Sequence, residues 1–296
     1  QMNLSETQKD NINNALILKQ SYTLISKNYQ SANYAEAEKL ALQTNTSFPN
    51  NEFILRILVD IYDKQNKKDE AISTCLKLIN IAPQDFTTYA NLGILYIETV
   101  QLSKAEEIFR KAIELNAYDF YTQYNLGITL IDLGKFQEAE LRLTAAKAID
   151  SNHAEVHYKL GFVLYKLGKI RNAELCYKQA LMIEPQNFLV LNSLGVVLRD
   201  LKKYNESETY FKKAIICKPN YFEAYFNLAI LYKQLNNFKK AESNYLKSIA
   251  IKPNYSSYNN LGNIYRQLGN SIKAIPHFIS AIKLRPNLSE AWNNLY

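Results

Sequence analysis

Residues 154–187 read AEVHYKLGFVLYKLGKIRNAELCYKQALMIEPQN, and the fold follows from this stretch because its key positions recur through most of the chain. Six residues have the spacing of two buried helical faces: Leu160, Gly161, Leu164, Ala173, Tyr177 and Ala180. Gly168 supplies a turn between the two helices, and Pro185 ends the second helix. The stretch therefore predicts a helical hairpin.

The same pattern returns every 34 residues, except that one residue is deleted before Tyr255. All eight glycines lie at two positions of this period. Five occupy the eighth position: Gly93, Gly127, Gly161, Gly195 and Gly262. Three occupy the fifteenth: Gly134, Gly168 and Gly269. A fixed period of this length is typical of stacked repeats, so the sequence predicts a solenoid.

The period places seven repeats within one predicted domain, 1–296: 52–85, 86–119, 120–153, 154–187, 188–221, 222–254 and 255–288. In the first of them, Cys75 replaces the usual aromatic residue. Residues 1–51 are predicted to form a degenerate N-terminal capping repeat, with Ser5 and Gln8 as a capping box. Residues 289–296 start a further, truncated repeat with Trp292 on its buried face, and we expect a longer protein to continue beyond Tyr296.

The Leu-Gly, Tyr, Ala, aromatic, Ala and Pro positions of these units resemble the signature of the tetratricopeptide repeat (TPR). The resemblance covers nearly the whole chain. It implies an all-α fold, a right-handed superhelical solenoid of helical hairpins whose first helices line a concave groove. The array also resembles the TPR superhelix of O-linked N-acetylglucosamine transferases and of bacterial TPR fusions with glycosyltransferases or sulfotransferases.

Composition argues against several classes of function. Three scattered cysteines suit a reducing compartment, so we expect a cytoplasmic protein without a disulfide framework. The three histidines are isolated from one another and from paired cysteines, so no metal site and no cofactor is expected. The net charge of +7 comes mostly from dispersed lysines, so no nucleic-acid partner is expected. No stretch approaches the roughly 18 apolar residues that span a bilayer, so no membrane insertion is expected. No catalytic constellation is present, so an enzyme is not expected in this segment.

Three sets of residues lie at positions that face the groove in arrays of this kind. An asparagine row occupies the sixth position: Asn91, Asn125, Asn227, Asn260 and Asn294. A basic row occupies the twelfth: Arg199, Lys233 and Arg266. An aromatic cluster lies near the middle of the chain: Tyr121, Tyr124, Tyr158, Phe162 and Tyr165.

Each set has a functional and a structural interpretation. The carboxamides can pair with a peptide backbone, as in the asparagine ladder of O-linked N-acetylglucosamine transferases, but asparagine is also simply common at that place in the family. The basic row can pair with acidic side chains or a terminal carboxylate, although solvated surface charge is the commoner explanation. Tyrosine supplies contact area at low entropic cost, which favours the aromatic cluster as the specificity pocket.

The sequence therefore predicts a non-catalytic scaffold that binds an extended peptide or a partner helix in its groove. The alternative is the substrate-recognition front end of a larger glycosyltransferase or sulfotransferase whose catalytic domain lies beyond residue 296. Self-association through the open C-terminal end is a further possibility. A co-chaperone function is disfavoured, because no three consecutive repeats supply the Lys, Asn, Asn, Lys and Arg set that clamps a C-terminal carboxylate.

Overall fold

The computed structural model describes residues 6–287 and 289–295, and side chains from residue 11 onward apart from those at 288, 291, 295 and 296. Every regular element in this part of the chain is an α-helix. The first eight are α1 (Glu6–Gln30), α2 (Tyr34–Ser47), α3 (Glu52–Lys64), α4 (Lys68–Ile81), α5 (Phe86–Glu98), α6 (Leu102–Leu115), α7 (Phe120–Asp132) and α8 (Phe136–Ile149). The others are α9 (Ala154–Lys166), α10 (Ile170–Ile183), α11 (Phe188–Asp200), α12 (Tyr204–Cys217), α13 (Phe222–Gln234), α14 (Phe238–Ile251), α15 (Tyr255–Gln267), α16 (Ser271–Leu284) and α17 (Ser289–Leu295).

The helices pack as consecutive hairpins in two compact units, Gln1–Ile149 (unit 1) and Asp150–Tyr296 (unit 2). Within each unit a repeat contributes one pair of helices, and the second helix also packs on the first helix of the following repeat. The predicted all-α structure of consecutive helical hairpins is confirmed. The capping box predicted at Ser5 and Gln8 lies outside the residues whose side chains are described.

The two helices of a hairpin approach most closely at the eighth position. A Cβ atom added to Gly195 would lie 2.6 Å from Cε1 of Phe211, a ring that is fully buried. The same close approach occurs in four other repeats: Gly93 with Phe109, Gly127 with Leu143, Gly161 with Tyr177, and Gly262 with Phe278. In these five repeats the large side chain of the second helix takes the space that a Cβ would occupy, so a larger residue at the eighth position requires a shift of its neighbours.

Two repeats have other residues at this pair of positions. In residues 52–85 the eighth position is Val59 and the residue sixteen places later is Cys75, both buried. A larger side chain on the first helix therefore accompanies a smaller one on the second, which accounts for the missing aromatic residue. In residues 222–254 the pair is Ala229 and Tyr245, and both are fully buried.

The turn inside each hairpin places its fifteenth residue in the left-handed region. The predicted glycines have φ values of 73° at Gly134, 75° at Gly168 and 69° at Gly269. The other repeats adopt the same turn without glycine, at Asn66, Val100, Lys202 and Asn236. Asparagine tolerates this conformation, but a β-branched residue is strained in it. Val100, with φ 58°, is therefore a strained residue.

Buried glutamates on the second helices tie successive repeats together. Lys203 Nζ lies 2.8 and 2.9 Å from the two carboxylate oxygens of Glu174, and Lys135 bonds Glu106 in the same way. Burial opposes ionisation of Glu174, yet hydrogen bonds from Lys178 and Lys203 hold its pKa below the usual value. Each ion pair thus sets the register between one repeat and the next.

We expect Gly195→Val to lower the free energy of unfolding by about 1–3 kcal/mol, because the new side chain would collide with Phe211. Adding Phe211→Cys, which recreates the valine–cysteine pair, should recover part of that loss. Urea unfolding of both single variants and the double variant gives the interaction energy, which we expect to exceed about 1 kcal/mol. Strictly additive losses would contradict the size-complementarity argument.

We expect Val100→Gly to raise the free energy of unfolding by about 0.5–1 kcal/mol. Glycine removes the left-handed strain, and the 79% exposed valine gives up little packing. Lys202→Gly is the matched control, since Lys202 has a similar φ of 60° without a β-branched side chain and should gain less. Thermal unfolding measures both, and equal or negative changes would argue against strain at Val100.

Candidate binding surface

A cavity of about 180 Å³ lies between the first helices α9 and α11 of unit 2. Its walls combine apolar and polar side chains: Phe162, Tyr165, Lys166, Asn192, Ser193 and Val196. These residues occupy the fifth, sixth, ninth, twelfth and thirteenth positions of their repeats. Two residues of the predicted aromatic cluster, Phe162 and Tyr165, therefore line a cavity together.

Tyrosine side chains surround this cavity. Tyr177 lines it from the second helix α10, and its hydroxyl forms a hydrogen bond with Ser193. The ring of Tyr158 lies 6.0 Å from that of Tyr177. Burial raises the pKa of Tyr177 well above its usual value, so its hydroxyl remains a neutral donor and acceptor. The cavity thus has an aromatic wall with polar groups at its edge.

Tyr165 joins a network at the mouth of the cavity. Its hydroxyl donates to Asp200 Oδ2 at 2.7 Å, and Arg199 donates to Oδ1 of the same carboxylate at 3.1 and 3.2 Å. Burial and this hydrogen bond raise the pKa of Tyr165. The charge of Arg199, the first residue of the predicted basic row, is therefore already compensated by Asp200.

Unit 1 has a cavity of the same size at corresponding positions, lined partly by Asp60, Asp63, Asn91 and Glu98. Lys68 Nζ lies 2.5 Å from one oxygen each of Asp63 and Glu98. Burial and the nearby Asp63 raise the pKa of Asp60. This cavity is acidic, in contrast to the one in unit 2.

The predicted aromatic cluster is divided between the two units. Tyr121 and Tyr124 belong to unit 1, where Tyr121 is 67% exposed and Tyr124 is half-buried. Phe120 contacts both, edge-on to Tyr121 at 5.2 Å and stacked on Tyr124 at 6.1 Å. Tyr158, Phe162 and Tyr165 belong to unit 2, where Phe162 and Tyr165 line the cavity and Tyr158 lies beside Tyr177.

The asparagine row is not uniform. Asn91 is exposed and Asn125 is half-buried. Asn227 Nδ2 donates to Asn192 Oδ1 at 3.0 Å, and Asn294 Nδ2 donates to Asn259 Oδ1 at 3.2 Å. Asn260 Oδ1 accepts a hydrogen bond from Lys233 Nζ at 3.3 Å. Several of these amides thus have partners within the protein.

Sequence reasoning missed the residues that bond to this row. Asn192 and Asn259 occupy the fifth position, immediately before the row, and both are buried. Asn192 also forms a side-chain hydrogen bond with Tyr221. The sequence signal that could have revealed these pairs is their spacing. An asparagine at the fifth position of one repeat is followed 35 residues later by an asparagine at the sixth position of the next.

Sequence reasoning also missed a hydrogen bond made by the fourth residue of several repeats. In four repeats the side chain of this residue bonds to the backbone oxygen of the residue six places before it, which lies in the turn that precedes the repeat. The pairs are Tyr89 with Pro83, Gln123 with Ala117, His157 with Ser151, and Trp292 with Pro286. Trp292 is 42% exposed, so the prediction that it lies on a buried face is wrong. Its indole is instead anchored to the turn at Pro286.

The basic row contains two cations without a carboxylate partner among the described residues. Lys233 is half-buried, and the only hydrogen bond of its side chain in that part of the chain goes to Asn260. Arg266 is exposed. Burial lowers the pKa of Lys233; the charge of Arg266 lowers it further, while Glu290 acts in the opposite direction.

Within the described residues, no group of three or more histidine, cysteine or acidic side chains is arranged to hold a metal ion. In the same part of the chain, no helix combines the length and the apolar character needed to cross a bilayer.

Comparison with known protein families gives two matches. The family described as the Cilia and flagella-associated protein 70 C-terminal domain matches residues 18–252, and the tetratricopeptide repeat family matches residues 256–288. Together they account for most of the chain. A comparison with curated proteins gives no match.

Solved tetratricopeptide structures share the fold. A repeat protein from Parabacteroides merdae is 18% identical, with a TM-score of 0.65 over 81% of this chain and 96% of its own. YrrB, described as a TPR protein with an unusual peptide-binding site, is 24% identical, with a TM-score of 0.50 over 64% of this chain and 97% of its own.

The hetero-tetramer Cut9–Hcn1 of the APC/C provides a longer relative. It is 17% identical, with a TM-score of 0.62 over 88% of this chain and 52% of the matched chain. This chain therefore spans about half the length of that relative. At these identities the likeness shows the fold alone.

The hydrogen-bonded and exposed asparagines should respond differently to mutation. We expect Asn192→Ala to lower the free energy of unfolding by about 1–3 kcal/mol, because it leaves Asn227 and Tyr221 without their partner. Asn91→Ala, at an exposed position, should change it by less than about 0.5 kcal/mol. Urea denaturation followed by circular dichroism measures both, and equal losses would contradict the structural assignment of Asn192.

Proposed function

We propose a function for this chain on the premise that it belongs to the tetratricopeptide family of the Cilia and flagella-associated protein 70 C-terminal domain. The chain is a non-catalytic scaffold that binds an extended peptide or a partner helix along the first helices of its repeats. The observation that carries this proposal is the cavity between α9 and α11. It offers an aromatic wall and polar side chains on a surface made by two successive repeats.

The cavity suits a peptide side chain with its adjoining backbone. Phe162 and Val196 supply apolar contact, and Ser193 supplies a hydroxyl at the edge of the aromatic wall. Lys166 lies 5.4 Å from the centroid of the Phe162 ring, so a cation is placed beside the apolar surface. Concave sites of this kind, largely apolar with a few placed polar groups, are the usual form of binding sites in proteins.

The described relatives support an interaction role. The Cut9 structure is a complex with Hcn1, and YrrB is described as having a peptide-binding site. Both share the fold of this chain, and we infer from them only that this chain also binds a protein or a peptide. The ligand of this chain has to be found by experiment.

The alternative role, as the recognition part of a larger glycosyltransferase or sulfotransferase, stays a prediction, since its catalytic domain would lie beyond residue 296. Cytoplasmic location, self-association through the C-terminal end and the expected lack of nucleic-acid binding stay predictions as well. Nucleic-acid binding would show itself by a steep loss of affinity with added salt.

We expect Val196→Trp to fill the cavity and to reduce peptide capture at least about fivefold, because the indole would occupy the space between α9 and α11. The probe is a pool of random, fluorescent dodecapeptides with acetylated N-termini and amidated C-termini, captured on the immobilised full chain.

Leu175→Trp is the matched control, since Leu175 is 63% exposed on the second helix α10. Thermal unfolding of both variants checks that they are folded. Unchanged capture by folded Val196→Trp, or equal losses in the two variants, would argue against binding in this cavity.

A further inference from the structure

Lys233 of unit 2 is half-buried and lacks a carboxylate partner among the described residues. Its Nζ lies 3.3 Å from Asn260 Oδ1, and no carboxylate oxygen of the described residues lies within 4.0 Å of it. Some other basic residues of the unit do have a carboxylate partner, such as Arg199 with Asp200 and Lys203 with Glu174. A half-buried cation without a counter-ion is unfavourable in isolation, and an incoming anion would compensate it.

Arg266 adds a second uncompensated charge next to Lys233. It occupies the same position of the following repeat and has no carboxylate within 4.0 Å among the described residues. Arg266 lies on α15, the helix whose Asn260 bonds to Lys233, and its charge lowers the pKa of Lys233. Two like charges held together on one surface are a site that favours an anion.

The chain's own carboxylate is kept away from these cations. Glu290 is near enough to Lys233 to favour its charged form. However, Glu290 Oε1 accepts a hydrogen bond from Asn259 Nδ2 at 2.9 Å, and Asn259 Oδ1 accepts one from Asn294. The amide pair therefore holds the carboxylate more than 4.0 Å from the ammonium group.

An unpaired acceptor lies in the same repeat. The side-chain oxygen of Asn263 is buried and has no hydrogen-bond partner among the described residues. Asn263 follows Asn260 by three residues on α15, so the two amides are neighbours along the helix. The Asn263 amide therefore lies one helical turn from Asn260, the hydrogen-bond partner of Lys233.

We propose that Lys233 and Arg266 anchor a carboxylate of the peptide bound by unit 2, and that Glu290 is an intramolecular competitor for this anchor. The proposal rests on the proposed function and adds the chemical class of the ligand, an acidic peptide. The carboxylate belongs either to an Asp or Glu side chain or to the C-terminus. Charge-assisted hydrogen bonds from ammonium and guanidinium groups supply the recognition.

The test uses three pools of random dodecapeptides with acetylated N-termini. In each pool one central position is fixed, and all other positions exclude Asp and Glu. The first has Glu at the centre and an amidated C-terminus, the second has Gln there and an amidated C-terminus, and the third has Gln there and a free C-terminal carboxylate. Each pool is captured on the immobilised full chain and quantified by mass spectrometry. We expect the first or the third pool to be captured about tenfold better than the second, and the preferred pool identifies the source of the carboxylate.

Variants then assign the preference to the proposed residues. Lys233→Met and Arg266→Gln should each reduce it at least about threefold, and Glu290→Gln should increase capture of the preferred pool. Lys239→Met is the matched control, because Lys239 is exposed on the second helix of the same repeat as Lys233, and it should leave the preference unchanged. Lys233→Met removes a half-buried charge without a counter-ion, so the variant is expected to fold.

The outcomes separate this proposal from the function on which it rests. Equal capture of all three pools, or a preference that persists in Lys233→Met and Arg266→Gln, would overturn the anchor and leave peptide binding standing. A preference reduced equally by Lys239→Met would reassign it to overall charge and also overturn the anchor. Capture of none of the pools above the level of uncoated beads would overturn both proposals.

Discussion

The close approach of the two helices at the eighth position of each repeat is the constraint on which the rest of the structure depends. Where Gly195 stands, the ring of Phe211 fills the space that any Cβ would need. Val59 with Cys75, and Ala229 with Tyr245, show that glycine as such is not required at this contact. Because interiors pack at nearly crystalline density, this pair fixes how closely a first helix lies on its second helix.

Because the hairpin geometry is the same in each repeat, the position of a residue within its repeat determines which surface it lies on. Once the eighth residue faces the second helix, the fifth, sixth, ninth and twelfth residues fall on the side where successive first helices meet. Both cavities of about 180 Å³, one in each unit, are lined at these positions. These positions do not determine the packing within a hairpin, so their side chains can differ between repeats. Asp60 and Asp63 line the cavity in unit 1, and Lys166 lines the cavity in unit 2.

Periodicity was sufficient to predict the helices, the hairpins and the left-handed turn at Gly168, because these depend on residues that every repeat shares. It did not predict that Val100 and Lys202 adopt the same turn, since the conformation there is imposed by the two helices and not by the residue. The partners of the asparagine row were missed for a related reason. Asn192 and Asn227 meet only once two successive first helices are packed side by side, and a search for residues at one position does not compare different positions in neighbouring repeats.

The distribution of hydrogen bonds in unit 2 bears on how such a surface could select a ligand. The amides of Asn227 and Asn294 are donors to other asparagines, so a peptide backbone would have to compete with bonds already made. The charge of Arg199 is compensated by Asp200 in the same way. Lys233 is different, because its half-buried ammonium group has one long hydrogen bond and no counter-ion among the described residues. On such a surface the asparagines mainly hold the repeats and their side chains in place, and selectivity for a ligand would come from the charge that they leave uncompensated.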